Sequence, residues 1–250
     1  MKINRFWSLV LAVSTAIGNW YAFYAIASLF GSKNPDFIAW ALIVSLVVHE
    51  IGHMIVLENN GIKTWMFFLV VVGGVGPQKD YEEKYRRMDW STSAAVSLAG
   101  VIGNVFGVFI AFILASQNIL NWDLFLKFAC LNGSLIYFNL IPYGKIDGGK
   151  FSKSLFDSIP EDQDGKYEWL LKIVIFAGAL VITIISGFSF IIIAWIFFWS
   201  LGYASNHDDP NGSRDKKAMT ERQYERWVVV YGILILLGIG FSSLCKNWIV

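Results

Sequence analysis

Between positions 91 and 116 the chain carries no charged side chain, and five further stretches are almost as apolar. A helix needs about 20 mostly apolar residues to cross a bilayer. A run of that length has no good place in a water-soluble domain of this size. Residues 6–30, 37–57, 91–116, 124–142 and 227–244 each read as one span. The stretch 169–204 is too long for one ordinary span, and Ser186-Gly187 offers a turn near its middle, so it reads as two. Only 16% of residues are charged and 56% are hydrophobic, against about 25% charged in a typical soluble domain. The expected class is an all-α polytopic membrane protein of about seven transmembrane helices.

The basic residues test that layout. With the N-terminus on one side, only Lys33, Lys127 and Lys246 of the 20 Lys and Arg fall on the other. Cytoplasmic loops hold the excess of basic residues, so the N-terminus is expected inside. A single span over 169–204 would move the basic residues of 205–226 outside and weaken the bias. Lys2 and Arg5 before the first run, with Ala25-Ile26-Ala27 near its end, look like a signal peptide. That run exceeds the usual 7–15-residue core of such a signal, so an uncleaved first helix is expected. A net charge of +1 gives no electrostatic reason to expect nucleic acid. Cys130 and Cys245 lie in or beside apolar segments and read as small buried hydrophobes rather than a disulfide or metal site.

Residues 64–75 are apolar, β-branched and aromatic, and end in Gly73-Gly74-Val75-Gly76. They are too short to span as a helix and read as a strand or re-entrant hairpin. Non-helical backbone is tolerated at membrane depth only against protein or a water-filled cavity. The polar stretch 205–226, with Asp209-Pro210-Asn211-Gly212, reads as a solvated loop running toward the last helix.

The chemistry concentrates near the end of the second span, at His49-Glu50-Ile51-Gly52-His53. Positions i and i+4 share a helix face, so the two imidazoles can aim at one point. Glu50 stands about 100° round the helix, within reach of water at that point. Two His ligands and a general-base Glu are the parts of a zinc hydrolase. Ionisable residues inside a membrane helix are costly and usually functional. Catalytic zinc normally has three protein ligands and one open position. His207, beside Asp208 and Asp209, reads as a solvated loop residue. Asp147, in Asn139-Leu140-Ile141-Pro142-Tyr143-Gly144-Lys145-Ile146-Asp147-Gly148-Gly149, is the better third ligand. The topology puts it at the same cytoplasmic end as the histidines. Taken alone it would read as an ordinary Asp-Gly turn.

Taken together, these residues resemble the site-2 protease family of intramembrane zinc metalloproteases. The resemblance rests on His49-Glu50-x-x-His53 in a membrane helix and on Asn139-x-x-Pro142 followed by Asp147-Gly148-Gly149, with Ala99-Gly100-x-x-x-Asn104 as a weaker third match. It covers residues 37–151, a three-helix catalytic core with the strand-like insert, within a single integral membrane domain over 1–250. Residues 152–250 hold the C-terminal helices. The resemblance implies His49, His53 and Asp147 as ligands of one zinc ion per chain, and Glu50 as catalytic base. It also implies that Asn139 orients substrate or stabilises the oxyanion; an interhelical hydrogen bond is the equal alternative. The same choice faces Asn104, with the hydrogen bond ahead. Val101 and Gly144-Lys145 depart from prolines common in relatives, and neither removes a ligand.

The expected function is intramembrane zinc endopeptidase, with a transmembrane segment of another protein as substrate and the lipid bilayer as environment. The expected location is the cell membrane, with the site near the cytoplasmic face. A catalytically inactive family member binding membrane helices as scaffold or chaperone is the alternative, and intact Glu50 argues against it. A midmembrane metal transporter would need polar residues lining several spans, which are not seen.

Overall fold

The architecture comes from a computed structural model and is described for residues 5–29, 32–69, 72–142, 146–158 and 216–244. Among these residues it has α1 (Arg5–Leu29), α2 (Pro35–Asn59), the strands β1 (Thr64–Leu69) and β2 (Val72–Pro77), a 3-10 turn, α3 (Glu82–Arg86), α4 (Trp90–Ser116), α5 (Trp122–Asn139), α6 (Asp147–Phe156) and α7 (Glu221–Ser243). Three helices are long and apolar enough to cross a membrane: α2, α4 and Glu221–Phe241 of α7. The described residues therefore carry three of the seven expected spans at that standard. Helices α1 and α5 coincide with two more, and the pair expected in 169–204 lies outside the described residues, as does His207.

Local chemistry sets the ends of the helix that matters most. α2 opens with Pro35 in its first turn and Asp36 close behind, where a missing N–H costs nothing and a negative charge meets the helix dipole. It closes at Gly61, which takes φ +70°. There Gly61 N–H donates to Glu58 and Ile62 N–H to Leu57, and buried Ile62 packs on Leu57. This is a Schellman closure with its apolar contact, and it turns the chain into β1. α4 is capped by Asp89, whose carboxylate accepts from Thr92 N–H at 2.8 Å.

The segment expected as strand or hairpin is an antiparallel hairpin, from Thr64 opposite Pro77 to Leu69 opposite Val72. Gln78 closes its open end through Lys63 and Thr64 carbonyls. On one face Trp65 and Phe67 stack at 4.8 Å over Gly76 and Gly74. The other face buries Thr64 and Phe68 and brings Gly73 against α2.

Helices α2 and α4 approach through small residues, as membrane helices do where van der Waals contact replaces the hydrophobic effect. A Cβ at Gly52 would overlap the Ala99 carbonyl, and one at Gly103 would sit 2.7 Å from the Val48 carbonyl. Gly52→Ala is expected to destabilise the protein by about 1–3 kcal/mol, although alanine is the better helix former by about 1 kcal/mol. Thermal unfolding in detergent beside Gly232→Ala, which has open space, checks this.

The principal core lies where α4, α5, α6 and α7 meet: Leu98, Val101, Ile136, Leu140, Phe151, Leu155, Tyr231 and Leu234. Outward faces carry Phe106, Phe109, Ile113, Val229, Ile233 and Leu236. So much exposed apolar surface suits lipid rather than water.

Three sequence expectations need correction. α7 starts at Glu221, six residues before the expected 227, because Thr220 and Gln223 form a reciprocal capping box. α6 stands where an Asp-Gly turn was the plain reading. Cys130 is buried on α5 and disulfide-bonded, with its partner outside the described residues, rather than a reduced apolar side chain.

Candidate metal centre

His49 and His53 project from the same face of α2, and the first turn of α6 brings Asp147 to meet them. All three are buried. Asp147 Oδ2 lies 2.9 Å from His49 Nε2 and 3.1 Å from His53 Nε2, and the two Nε2 atoms are 3.2 Å apart. Glu50 is also buried. Its Oε1 would be 2.6 Å from a Cβ on Gly73, so the carboxylate has its place because β2 has no side chain there.

The second nitrogen of each ring shows which way the rings are protonated. His53 Nδ1–H donates to the Val96 carbonyl at 2.7 Å. His49 Nδ1–H donates to Asn104 Oδ1 at 2.6 Å. The orientation of the Asn104 amide is itself fixed, since its Nδ2 donates to the Ser45 carbonyl at 3.0 Å and to Asn132 Oδ1 at 2.9 Å. Asn132 in turn donates to the Phe128 carbonyl. Both imidazoles are therefore held with the proton on Nδ1 and the lone pair on Nε2.

Two imidazole lone pairs and a carboxylate oxygen thus converge in a buried pocket. Asp147 Oδ2 is buried without a hydrogen-bond donor. Three acceptors this close repel one another unless a cation lies among them. Their ligand atoms all fall within 4.8 Å of one another. Two imidazoles and a carboxylate are a donor set that zinc takes in catalytic sites, so the residues present fit the metal that the sequence implies.

Gly100 is what leaves room for this arrangement. A Cβ there would lie 2.5 Å from both Nε2 atoms. Gly148, next to Asp147, is pressed so closely on the Leu140 carbonyl that a Cβ would overlap it. Lys150 is an exposed neighbour, its Nζ 3.8 Å from Asp147 Oδ1.

The structure thus brings together His49, His53 and Asp147, with Glu50 on the adjoining face. Asn139 stands apart from that group. It is half-buried and donates to the Leu135 carbonyl of its own helix at 3.1 Å. Among the described residues no hydrogen bond joins it to the histidines. Asn104, left between two roles by sequence, hydrogen-bonds both a neighbouring helix and His49. Sequence reasoning missed Asn132 and the Val96 carbonyl, and named Gly100 in a weak motif without giving it a role. An amide in an apolar span was the available signal for Asn132. No signal marks one backbone carbonyl among many.

Comparison with known proteins finds zinc metalloproteases among the chain's relatives. No protein-family profile matches the chain. It is 26% identical over 229 residues to a Synechocystis protein provisionally named a zinc metalloprotease, covering 85% of this chain and 57% of that one. It is 30% identical over 127 residues to a zinc metalloprotease of Methanocaldococcus jannaschii, covering 47% and 35%. Stage IV sporulation protein FB of Bacillus subtilis matches at 26% over 115 residues, covering 46% and 38%. The chain spans little more than half the length of the first of these relatives, and less of the other two. With these relatives and its buried His–His–Asp cluster, the chain resembles the site-2 protease family of zinc metalloproteases.

Proposed function

We propose that the chain is an intramembrane zinc endopeptidase acting on a transmembrane segment of another membrane protein. The observation that carries this reading is the convergence of three buried acceptors, on His49, His53 and Asp147, beside Glu50 in a helix of membrane-spanning length.

His49, His53 and Asp147 would hold one zinc ion. When bound, zinc supplies Lewis acidity, polarising a carbonyl and lowering the pKa of water. The chain's own residues do the rest. Glu50 accepts a proton from the attacking water as its oxygen bonds to the scissile carbonyl carbon. It then returns that proton to the amide nitrogen as the C–N bond breaks, leaving a carboxylate and an amine. Asn104 and the Val96 carbonyl keep both imidazoles in the ligating tautomer. We assign Asn139 to orienting substrate or stabilising the oxyanion.

A substrate helix hides its carbonyls in its own hydrogen bonds, so it must unwind locally, at lower cost where it contains Gly or Pro. The hairpin lies beside Glu50 at Gly73, and an unwound segment pairing with a strand edge would gain backbone partners. The substrate is one already trimmed by another protease. The site lies near the cytoplasmic face of the cell membrane, and the product leaves to the cytoplasm.

Metal analysis of the purified chain tests the reading. About one zinc per chain is expected in the wild type, much reduced in Asp147→Ala. A wild type free of zinc after gentle purification argues for a scaffold; zinc undiminished in the variant removes Asp147 from the ligand set.

A further inference from the structure

We infer that Tyr231, on α7 and outside the catalytic core, is a positioning residue for Asp147. The inference deepens the metal-site reading and rests on it.

No side chain of the histidine helix holds Asp147 by a donated hydrogen bond, since both facing nitrogens carry lone pairs. Its carboxylate is placed by the way α6 docks. α6 docks chiefly on α4, and Tyr231 joins two further contacts close to Asp147. Leu140 caps the end of α5, where the last carbonyls have no helical donor. The Tyr231 hydroxyl donates to the Leu140 carbonyl. The same carbonyl is the surface against which Gly148, next to Asp147, is pressed. On the other side the Tyr231 ring stacks on Phe151, one turn beyond Asp147, with centroids 4.7 Å apart and planes at 21°. Leu140, Phe151 and Tyr231 are all buried. One tyrosine thus ties the end of α5 to the helix that begins with Asp147.

The remaining contact is α6 on α4, through Phe151 and Leu155 against Ala94 and Leu98 in the shared core. It is apolar and, among the described residues, has no directional bond of the kind Tyr231 makes. The hydroxyl bond is directional and fixes where Leu140, and with it Gly148, comes to rest.

Tyr231→Phe keeps the ring and removes only the hydroxyl. Leu234→Ala, in the same core and on the same helix, removes more buried volume and touches neither flank of Asp147 by a polar contact. Two readouts on the full chain in detergent separate the possibilities. In chelator-treated protein, Tyr231→Phe is expected to speed amide exchange in the first turns of α6 about tenfold, the loss of one buried hydrogen bond. Zinc affinity, titrated with the metal alone, is expected to fall about tenfold. Leu234→Ala should lower thermal stability at least as much and leave zinc affinity within about twofold. Exchange and affinity unchanged in Tyr231→Phe overturn the inference. So does a fall in affinity that simply tracks stability across both variants. A wild type that takes up no zinc defeats the metal reading instead, and the exchange rates still decide whether Tyr231 positions α6.

Discussion

Glu50→Gln is expected to reduce the rate of peptide-bond cleavage by about 10²- to 10⁴-fold, the usual contribution of a general base, with zinc content unchanged. Glutamine has nearly the shape of glutamate and fits the space that Gly73 leaves, but its amide cannot take up a proton. Single-turnover cleavage of a labelled transmembrane peptide in liposomes, beside metal analysis of the same preparation, is the measurement. Cleavage within tenfold of wild type would remove Glu50 from the base role. Lost cleavage together with lost zinc would mean that the substitution disturbs the ligands, and the role would then have to be read from Glu50→Asp.

Gly100→Ala is expected to weaken zinc binding by at least about 100-fold, the upper end of what a change to a residue touching the ligands costs. The added methyl would lie 2.5 Å from both Nε2 atoms. Neither ring can swing away without giving up its Nδ1 bond to Asn104 or Val96. Gly107→Ala on the same helix face is the control. Its Cβ meets only Val48 Cγ1 at 3.6 Å, an ordinary contact, and alanine favours the helix by up to about 1 kcal/mol. Isothermal titration of metal-free protein compares the two. Equal zinc affinity in Gly100→Ala and wild type would rule out this ring arrangement.

The histidines were legible in the sequence because a helix fixes the geometry of i and i+4 whatever surrounds it. Asp147 was legible only through the charge-based topology and the family resemblance, since 94 residues separate it from His53 and nothing local shows where it goes. The apolar runs gave α2 and α4 to within two residues at each end. α6 escaped because it opens Asp147-Gly148-Gly149, poor helix formers, and is held helical by burying Phe151 and Leu155. Asn104 was noticed but not resolved, because the facing of an amide depends on the rotation of its helix against two others. Tyr231 had no signal at all, and Gly100 had only its place in the weaker Ala99-Gly100-x-x-x-Asn104 match, which gave it no role. One acts through a carbonyl 91 residues away, the other through a side chain it lacks.

The amide chain from His49 through Asn104 to Asn132 crosses α2, α4 and α5. A slip of α5 by a single residue would rotate Asn132 by about 100° and leave a buried Asn104 N–H without its acceptor, a cost of about 1–3 kcal/mol. The amide could then turn over and present N–H to His49, moving the imidazole proton to Nε2 and closing the ring to metal. The ligating tautomer of His49 thus depends on the register of three helices. In such a misregistered bundle His49 would face Asp147 with an N–H instead of a lone pair.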